Sequence, residues 1–124
     1  MLERAYDDRD GVTAAFNLTL LRVLNRELDA DFDLAGFRHR AVYNTEAQRI
    51  EMYLEAIQDQ AVWIGRLDQR LHLSRGERIR TELSHKYSEA SLLRLLEPAG
   101  FRIEQLLTTP APTAYSLVLA RASD

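Results

Sequence analysis

The chain has no cysteine among its 124 residues. This absence excludes a disulfide framework, a thiolate metal site and a cysteine nucleophile. No apolar run approaches the roughly 20 residues that span a bilayer, and the charged N-terminus does not fit a secretion signal. The sequence therefore predicts a soluble protein of the cytoplasm with no membrane partner.

The chain has only a small net negative charge. The net charge is −3 and the basic residues are scattered along the chain, so no concentrated positive surface is expected to hold phosphates. Nucleic acid is therefore not an expected partner. A hydrophobic content of 46% over this length is enough for one compact domain.

The first long element is predicted to be a helix from Val12 to about Leu28. Asp10 is the predicted N-cap, and the stretch 30–33 ends the helix. Asp33 is predicted to cap a short turn from Leu34 to Phe37. Apolar residues that follow the helical spacing are Val12, Phe16, Leu20, Val23, Leu24 and Leu28. Leu18 and Leu21 widen this apolar stripe beyond a single face, so the helix is expected to pack on more than one side.

Extended segments are predicted next, near 37–43, 49–56, 60–67 and 69–84, the last as a hairpin that turns at 74–76. In the second segment alternate residues face opposite sides. The expectation is an antiparallel sheet with one wet face, with the inner side of the second segment made of Ile50, Met52, Leu54 and Ala56 and the outer side of Arg49, Glu51, Tyr53 and Glu55.

From Ser88 onward the sequence predicts one helix followed by two strands. Ser88 is a predicted N-cap for a helix with a buried leucine stripe, which Pro98 and Gly100 terminate. Strands are predicted over 101–107 and 115–121, joined by a loop that holds Pro110 and Pro112. The fold class is therefore α/β with α+β character.

The strand from Glu77 to Ser84 carries the most informative polar pair. Glu82 and Ser84 lie two residues apart, so they share one face at a separation of roughly 6.6 Å. Both side chains are then within reach of one planar polar group, such as an imidazole. The alternative is that Glu82 pairs with Arg80 or Lys86 on a solvated surface.

Four sequence blocks, in this order, resemble the histidine-specific Nα-methyltransferase family of ergothioneine biosynthesis. They are Ala5-Tyr6-Asp7-Asp8 with 11–17, then 25–28 with 30–33, then 49–54, then the strand from Gly76 to Tyr87. Members of that family use S-adenosyl-L-methionine to methylate the α-amine of L-histidine. The resemblance covers nearly the whole chain.

The resemblance implies substrate-binding roles for five residues. Glu82 and Ser84 match the imidazole contacts, Tyr6 matches the tyrosine that meets the substrate carboxylate, and Phe16 and Met52 match residues of the substrate pocket. From the residues alone, the helical spacing of Phe16 favours a core side chain, and Met52 is expected to fill the core between Ile50 and Leu54, which is compatible with a place in the pocket. No residue is expected to act as a nucleophile, and the three histidines lack metal-ligand spacing.

What the resemblance does not supply is a cofactor cradle. Class I methyltransferases hold S-adenosylmethionine at a glycine-rich turn after a strand, whereas no two of the five glycines here lie close together. The chain is therefore expected to be a C-terminal portion, with a substrate-recognition lobe over 1–86 and the last helix and strand pair of the methyltransferase sheet over 87–124. Its expected partners are histidine and either the missing N-terminal segment or itself. A truncated product, a split subunit, a deliberately made fragment or a non-catalytic partner protein all remain open at this stage, and the isolated chain is expected to be inactive.

Overall fold

A computed structural model describes residues 3–110 and 115–123, which form two compact units, Met1–Lys86 and Tyr87–Asp124. Every described strand pair is antiparallel, which confirms an α+β fold. None of the described helices has the length and apolar character needed to cross a membrane. The first unit contains α1 (Glu3–Tyr6), α2 (Val12–Leu28), β1 (Phe37–Asn44), β2 (Arg49–Ala56), β3 (Gln60–Ile64), β4 (Gln69–Leu73) and β5 (Arg78–His85), and the second contains α3 (Glu89–Leu96), β6 (Phe101–Thr108) and β7 (Ser116–Ala122).

Helix α2 has the predicted bounds, but its predicted cap is wrong. The residue that caps the helix is Asp8, whose carboxylate accepts hydrogen bonds from the backbone N–H groups of Val12 and Thr13, both at 2.9 Å. Gly11 stands at the N-cap position with φ of 71°, and this left-handed turn brings the earlier acid back over the helix end. Asp10 therefore has no capping role.

The cap makes the stability of the first unit dependent on pH. Hydrogen bonds from the Thr13 side chain, and then from the Thr13 and Val12 backbones, lower the pKa of Asp8 from 3.8 to about 2. Because the folded-state pKa is depressed, the stabilisation is complete above pH 4 and is lost as the pH falls toward 2. We expect Asp8→Ala to lower the Tm by a few degrees at pH 6, and the difference from the unsubstituted chain to shrink below pH 4 in thermal melts.

Asp10→Ala is the matched control for this prediction, since it removes an exposed acid two residues away. It is expected to leave the Tm unchanged across the same pH range. Equal effects of the two substitutions would show that the local negative charge matters and the capping geometry does not.

The strands of the first unit form two separate sheets, in the orders β1-β2-β5 and β3-β4. The predicted hairpin over 69–84 is therefore wrong, because β4 pairs with β3 while β5 pairs with β2. The turn itself is present, with Gly76 at φ of +85° and the Glu77 N–H donating to the Ser74 carbonyl. It transfers the chain from one sheet to the other. The third predicted segment also ends earlier than expected, at Ile64, where a 3-10 turn over Gly65–Leu67 follows.

The core of the first unit lies on the inner side of β2. Leu54, at the middle of this strand, has no exposed surface, and Leu21 of α2 is equally buried. The predicted turn at Leu34–Gly36 is present, with the Asp33 side chain accepting from the Ala35 N–H. The buried cluster consists of Leu21, Phe32, Phe37, Leu54, Ala56, Val62 and Leu73.

The outer side of β2 is polar but is not uniformly exposed to solvent. Glu55 is only 4% exposed, because Arg38 of β1 and Arg78 of β5 bond to its carboxylate from either side. These arginines, Arg38 first, lower the pKa of Glu55. Glu51 is similarly covered, with Tyr53 and Arg49 as its main partners. The interpretation of Glu55 as a plain surface acid is therefore wrong.

In the second unit Ser88 caps α3 as predicted, and its side chain and that of Ser91 form a reciprocal capping box. The expected buried leucine stripe is not observed, since no residue of α3 is buried. A short helix beside one two-stranded sheet offers too little surface to cover its leucines. The strands β6 and β7 pair with each other and confirm the predicted strand pair. Pro112 of the predicted loop lies outside the described residues.

Candidate functional site

A cleft of about 330 Å³ opens between α2 and β5 within the first unit. This volume lies at the lower end of the range for small-molecule sites. Most of its wall is apolar and one carboxylate projects into it, an arrangement suited to a flat ring that carries an N–H group. The lining residues are Phe16, Asn17, Thr19, Leu20, Val23, Thr81 and Glu82.

Phe16 belongs to this cleft and not to the core. Its side chain is 68% exposed, so the interpretation as a buried core residue is wrong. Helix α2 instead buries Leu21 against the sheet. Phe16, Leu20 and Val23 thus form an uncovered apolar row along one side of the helix, and this row is the wall that faces Glu82.

Glu82 and Ser84 owe their orientation to a β-bulge in β5. Met52 pairs with Glu82, whereas the next residue of β2, Tyr53, pairs with Arg80. Thr81 is therefore the extra residue, and beyond it the alternation of β5 is inverted. Directly opposed residues share a face, so Glu82 lies on the same face as Met52.

Ser84 follows on that face because it pairs with Ile50. Leu83 pairs with Glu51 on the opposite, arginine-rich side, although uninterrupted alternation would place it beside Ile79. The Thr81 hydroxyl donates to the Met52 carbonyl at 3.1 Å and thereby closes the bulge. Met52 itself is 3% exposed; it lies opposite Glu82 in the ladder but is not one of the residues that line the cleft.

Tyr6, at the end of α1, meets Ser84 across 78 residues of sequence. The Tyr6 hydroxyl lies 2.9 Å from Ser84 Oγ. The ammonium group of Lys86 donates to both oxygens, at 2.5 Å to Tyr6 and 2.9 Å to Ser84. The hydrogen bond from Lys86, followed by that from Ser84, lowers the pKa of Tyr6. The structure thus combines two of the predicted site residues with a cation that the sequence analysis treated only as a surface partner.

Glu82 does not form the surface ion pair that was its alternative explanation. Among residues 3–110 and 115–123, neither Arg80 nor Lys86 approaches its carboxylate within 4.0 Å. Arg80 pairs with Tyr53 on the other face, and Lys86 bonds to the two hydroxyls. The Glu82 carboxylate is therefore available to a ligand in the cleft.

Two further residues hold the site together and were not assigned to it from the sequence. The buried Asn17 side chain donates to His39 Nδ1 at 2.9 Å and to the Tyr53 carbonyl at 3.1 Å. The other ring nitrogen of His39, Nε2, lies 2.7 Å from the Tyr6 carbonyl, to which it donates. His39 thus connects α1, β1 and α2 and fixes Tyr6 above β5. The sequence signals for Asn17 were its polar character within an otherwise apolar helix and its place at the end of the 11–17 block.

Comparison with known proteins identifies the family. Residues 1–122 match the histidine-specific, SAM-dependent methyltransferase family. The chain is 46% identical over 110 residues to histidine N-alpha-methyltransferase of Mycolicibacterium smegmatis, a match covering 89% of this chain and 34% of that protein. It is also 46% identical over 99 residues to histidine N-alpha-methyltransferase of Mycobacterium tuberculosis, covering 80% of this chain and 31% of that protein.

The chain therefore spans about a third of the length of the curated relatives that it matches. The family match extends over both compact units and includes every residue of the cleft and of the Tyr6–Ser84–Lys86 cluster. The resemblance inferred from the four sequence blocks is confirmed, and the chain belongs to the histidine-specific, SAM-dependent methyltransferase family.

Proposed function

We propose that this chain forms the histidine-binding part of an enzyme that methylates the α-amine of L-histidine with S-adenosyl-L-methionine, as a step in ergothioneine biosynthesis. The observation that carries the proposal is the position of Glu82. Its unpaired carboxylate lies in an apolar cleft with Phe16, on the same strand face as Ser84. Family membership makes histidine the first ligand to consider for that cleft.

The donor and acceptor pattern of the cleft suits a neutral imidazole. A carboxylate accepts only, whereas a serine hydroxyl donates or accepts. Glu82 therefore pairs with the ring N–H and Ser84 with the other ring nitrogen, while the Phe16 row contacts the ring. Methylation of an amine needs no protein nucleophile, so the contribution of these residues is to hold the substrate in one orientation.

The described part of the chain does not fit a cradle for S-adenosylmethionine. Such a cradle needs a glycine turn between a strand and an α-helix, and none of the five glycines occupies such a turn. Gly76, for example, joins two strands, and Gly100 precedes one. We therefore assign the cofactor to another segment of the enzyme and no cofactor contact to these residues.

The second candidate is a non-catalytic partner protein or remnant that binds another chain or itself. It is favoured by the apolar surface of the second unit, whose short helix and strand pair leave large side chains uncovered. In the methyltransferase proposal the same surface contacts the cofactor-binding segment. The exposed side chains are Leu95, Phe101, Leu107, Tyr115, Leu117 and Leu119.

A hybrid enzyme separates the two candidates. In it, this chain replaces the matching third of the Mycolicibacterium smegmatis relative, which supplies the remaining two thirds. We expect the hybrid enzyme to transfer labelled methyl groups from S-adenosylmethionine to L-histidine, as measured by mass spectrometry. A hybrid enzyme that melts cooperatively and binds the cofactor, yet leaves histidine unmodified, would favour the non-catalytic alternative.

A further inference from the structure

Lys86 is the only lysine of the chain, and it lies at the end of the strand that carries Glu82 and Ser84. Its ammonium group is 4.5 Å from the centre of the Tyr6 ring and contacts the hydroxyls of Tyr6 and Ser84. Within residues 3–110 and 115–123 no carboxylate lies within 4.0 Å of it. No ion pair among these residues therefore neutralises the Lys86 ammonium group, and the nearest negative charge acting on the cluster is that of Glu82, which raises the pKa of Tyr6 only as a minor contribution.

Two of the hydrogen-bond donors of Lys86, Tyr6 and Ser84 are not used within the cluster. An ammonium group has three N–H bonds and each hydroxyl has one O–H bond, which gives five donors. Three are used inside the cluster, from Lys86 to Tyr6, from Lys86 to Ser84, and between the two hydroxyls. One ammonium hydrogen and one hydroxyl hydrogen remain for a ligand.

We propose that Lys86 binds the carboxylate of the amino-acid substrate and so restricts the site to ligands that carry one. The inference rests on the proposed function and extends it to a residue with no assigned role. The spare hydroxyl hydrogen suits the acceptor nitrogen of an imidazole, and the spare ammonium hydrogen suits a carboxylate, where a charge-assisted bond forms. In this assignment Glu82 supplies the acceptor for the ring N–H and Lys86 supplies the donor for the carboxylate of one histidine molecule.

Two ligands that differ only in the carboxylate test this role. Calorimetry on the hybrid enzyme is used to compare L-histidine with histamine, for the unsubstituted protein and for Lys86→Met. We expect the substitution to weaken histidine binding on the order of 10- to 100-fold and to leave histamine binding unchanged. Lys86→Arg, which keeps the charge, is expected to retain most of the preference for histidine.

Arg80→Met is the matched control, because it removes one positive charge from β5 itself, on the face opposite Glu82 and Ser84. It is expected to change neither affinity. If Lys86→Met weakens the binding of histidine and histamine equally, or weakens neither, the role of Lys86 is overturned while the proposed function stands. An unsubstituted hybrid enzyme that binds neither ligand would overturn the proposed function and this inference with it.

Amine labelling provides a second measurement that needs no substitution. The modification rate of Lys86 by an acylating reagent is followed by peptide mass spectrometry. Saturating histidine is expected to slow the modification several-fold, whereas histamine leaves the rate unchanged. Protection by both ligands alike would show that Lys86 is merely covered when the cleft is filled, and would contradict carboxylate binding.

Discussion

Replacing Glu82 with alanine in the hybrid enzyme is expected to lower kcat/KM for histidine by about 10- to 150-fold, or about 1.5 to 3 kcal/mol. The physical reason is that the substitution leaves the imidazole N–H without an acceptor inside an apolar cleft. The loss is specific to that group. The ring of thienylalanine has five members and no N–H. Its kcat/KM in steady-state assays should therefore be low and nearly the same for the unsubstituted hybrid enzyme and for the Glu82→Ala variant.

The control for this prediction is Glu46, an exposed acid in the turn between β1 and β2. Glu55 is unsuitable, since its carboxylate is buried between two arginines and its removal perturbs the sheet. Glu46→Ala is expected to leave kcat/KM for histidine unchanged. If both substitutions lower it equally, Glu82 acts only through general charge and its assignment to the imidazole fails.

Leu54→Ala is expected to have the largest effect on stability, a loss of about 2 to 5 kcal/mol in the free energy of unfolding. Leu54 is fully buried at the centre of the core of the first unit, so truncation leaves a cavity that the surrounding strands fill only in part. Such a loss is a large fraction of the stability of an ordinary domain. Urea unfolding measures it, with the fluorescence of Trp63, the only tryptophan, as a reporter in β3.

Leu67→Ala provides the comparison in the same unit. Leu67 is 54% exposed in the 3-10 turn after β3, so its truncation is expected to change the free energy of unfolding by less than about 0.5 kcal/mol. Similar shifts of the urea midpoint for the two variants would contradict the placement of the core on the inner side of β2.

Features that depend on neighbouring residues could be predicted from the sequence. The bounds of α2, the cap at Asp33 and the cap at Ser88 follow from local backbone chemistry and side-chain spacing. The cap of α2 shows the limit of such reasoning, because both Asp8 and Asp10 precede the helix. The left-handed turn at Gly11 decides between them, and the acidic residues alone do not reveal that turn.

Features that depend on pairing between distant segments could not be predicted. Alternation assigns Glu55 to the outer side of β2, but arginines of β1 and β5 bury it, and they come from other segments of the sequence. The sequence likewise does not reveal that β4 pairs with β3 and not with β5, which follows it in the chain. For the candidate site, the strand pattern correctly predicted that Glu82 and Ser84 share a face, but regular alternation puts that face opposite Ile79, and the bulge puts all three on the same side. The contact between Tyr6 and Lys86 joins residues 80 positions apart.

Because of the bulge at Thr81, the direction in which Glu82 and Ser84 point depends on whether an odd or an even number of residues separates them from Ile79. A regular strand inverts its two faces whenever one residue is added or removed. Any odd change between Ile79 and Glu82 would therefore exchange the residues that face α2 with those that face the arginines, even if every side chain of the site were kept. An even change would preserve the faces and only move them along the strand. The orientation of Glu82 and Ser84 in this chain thus depends on the residue count at this point as strictly as on residue identity.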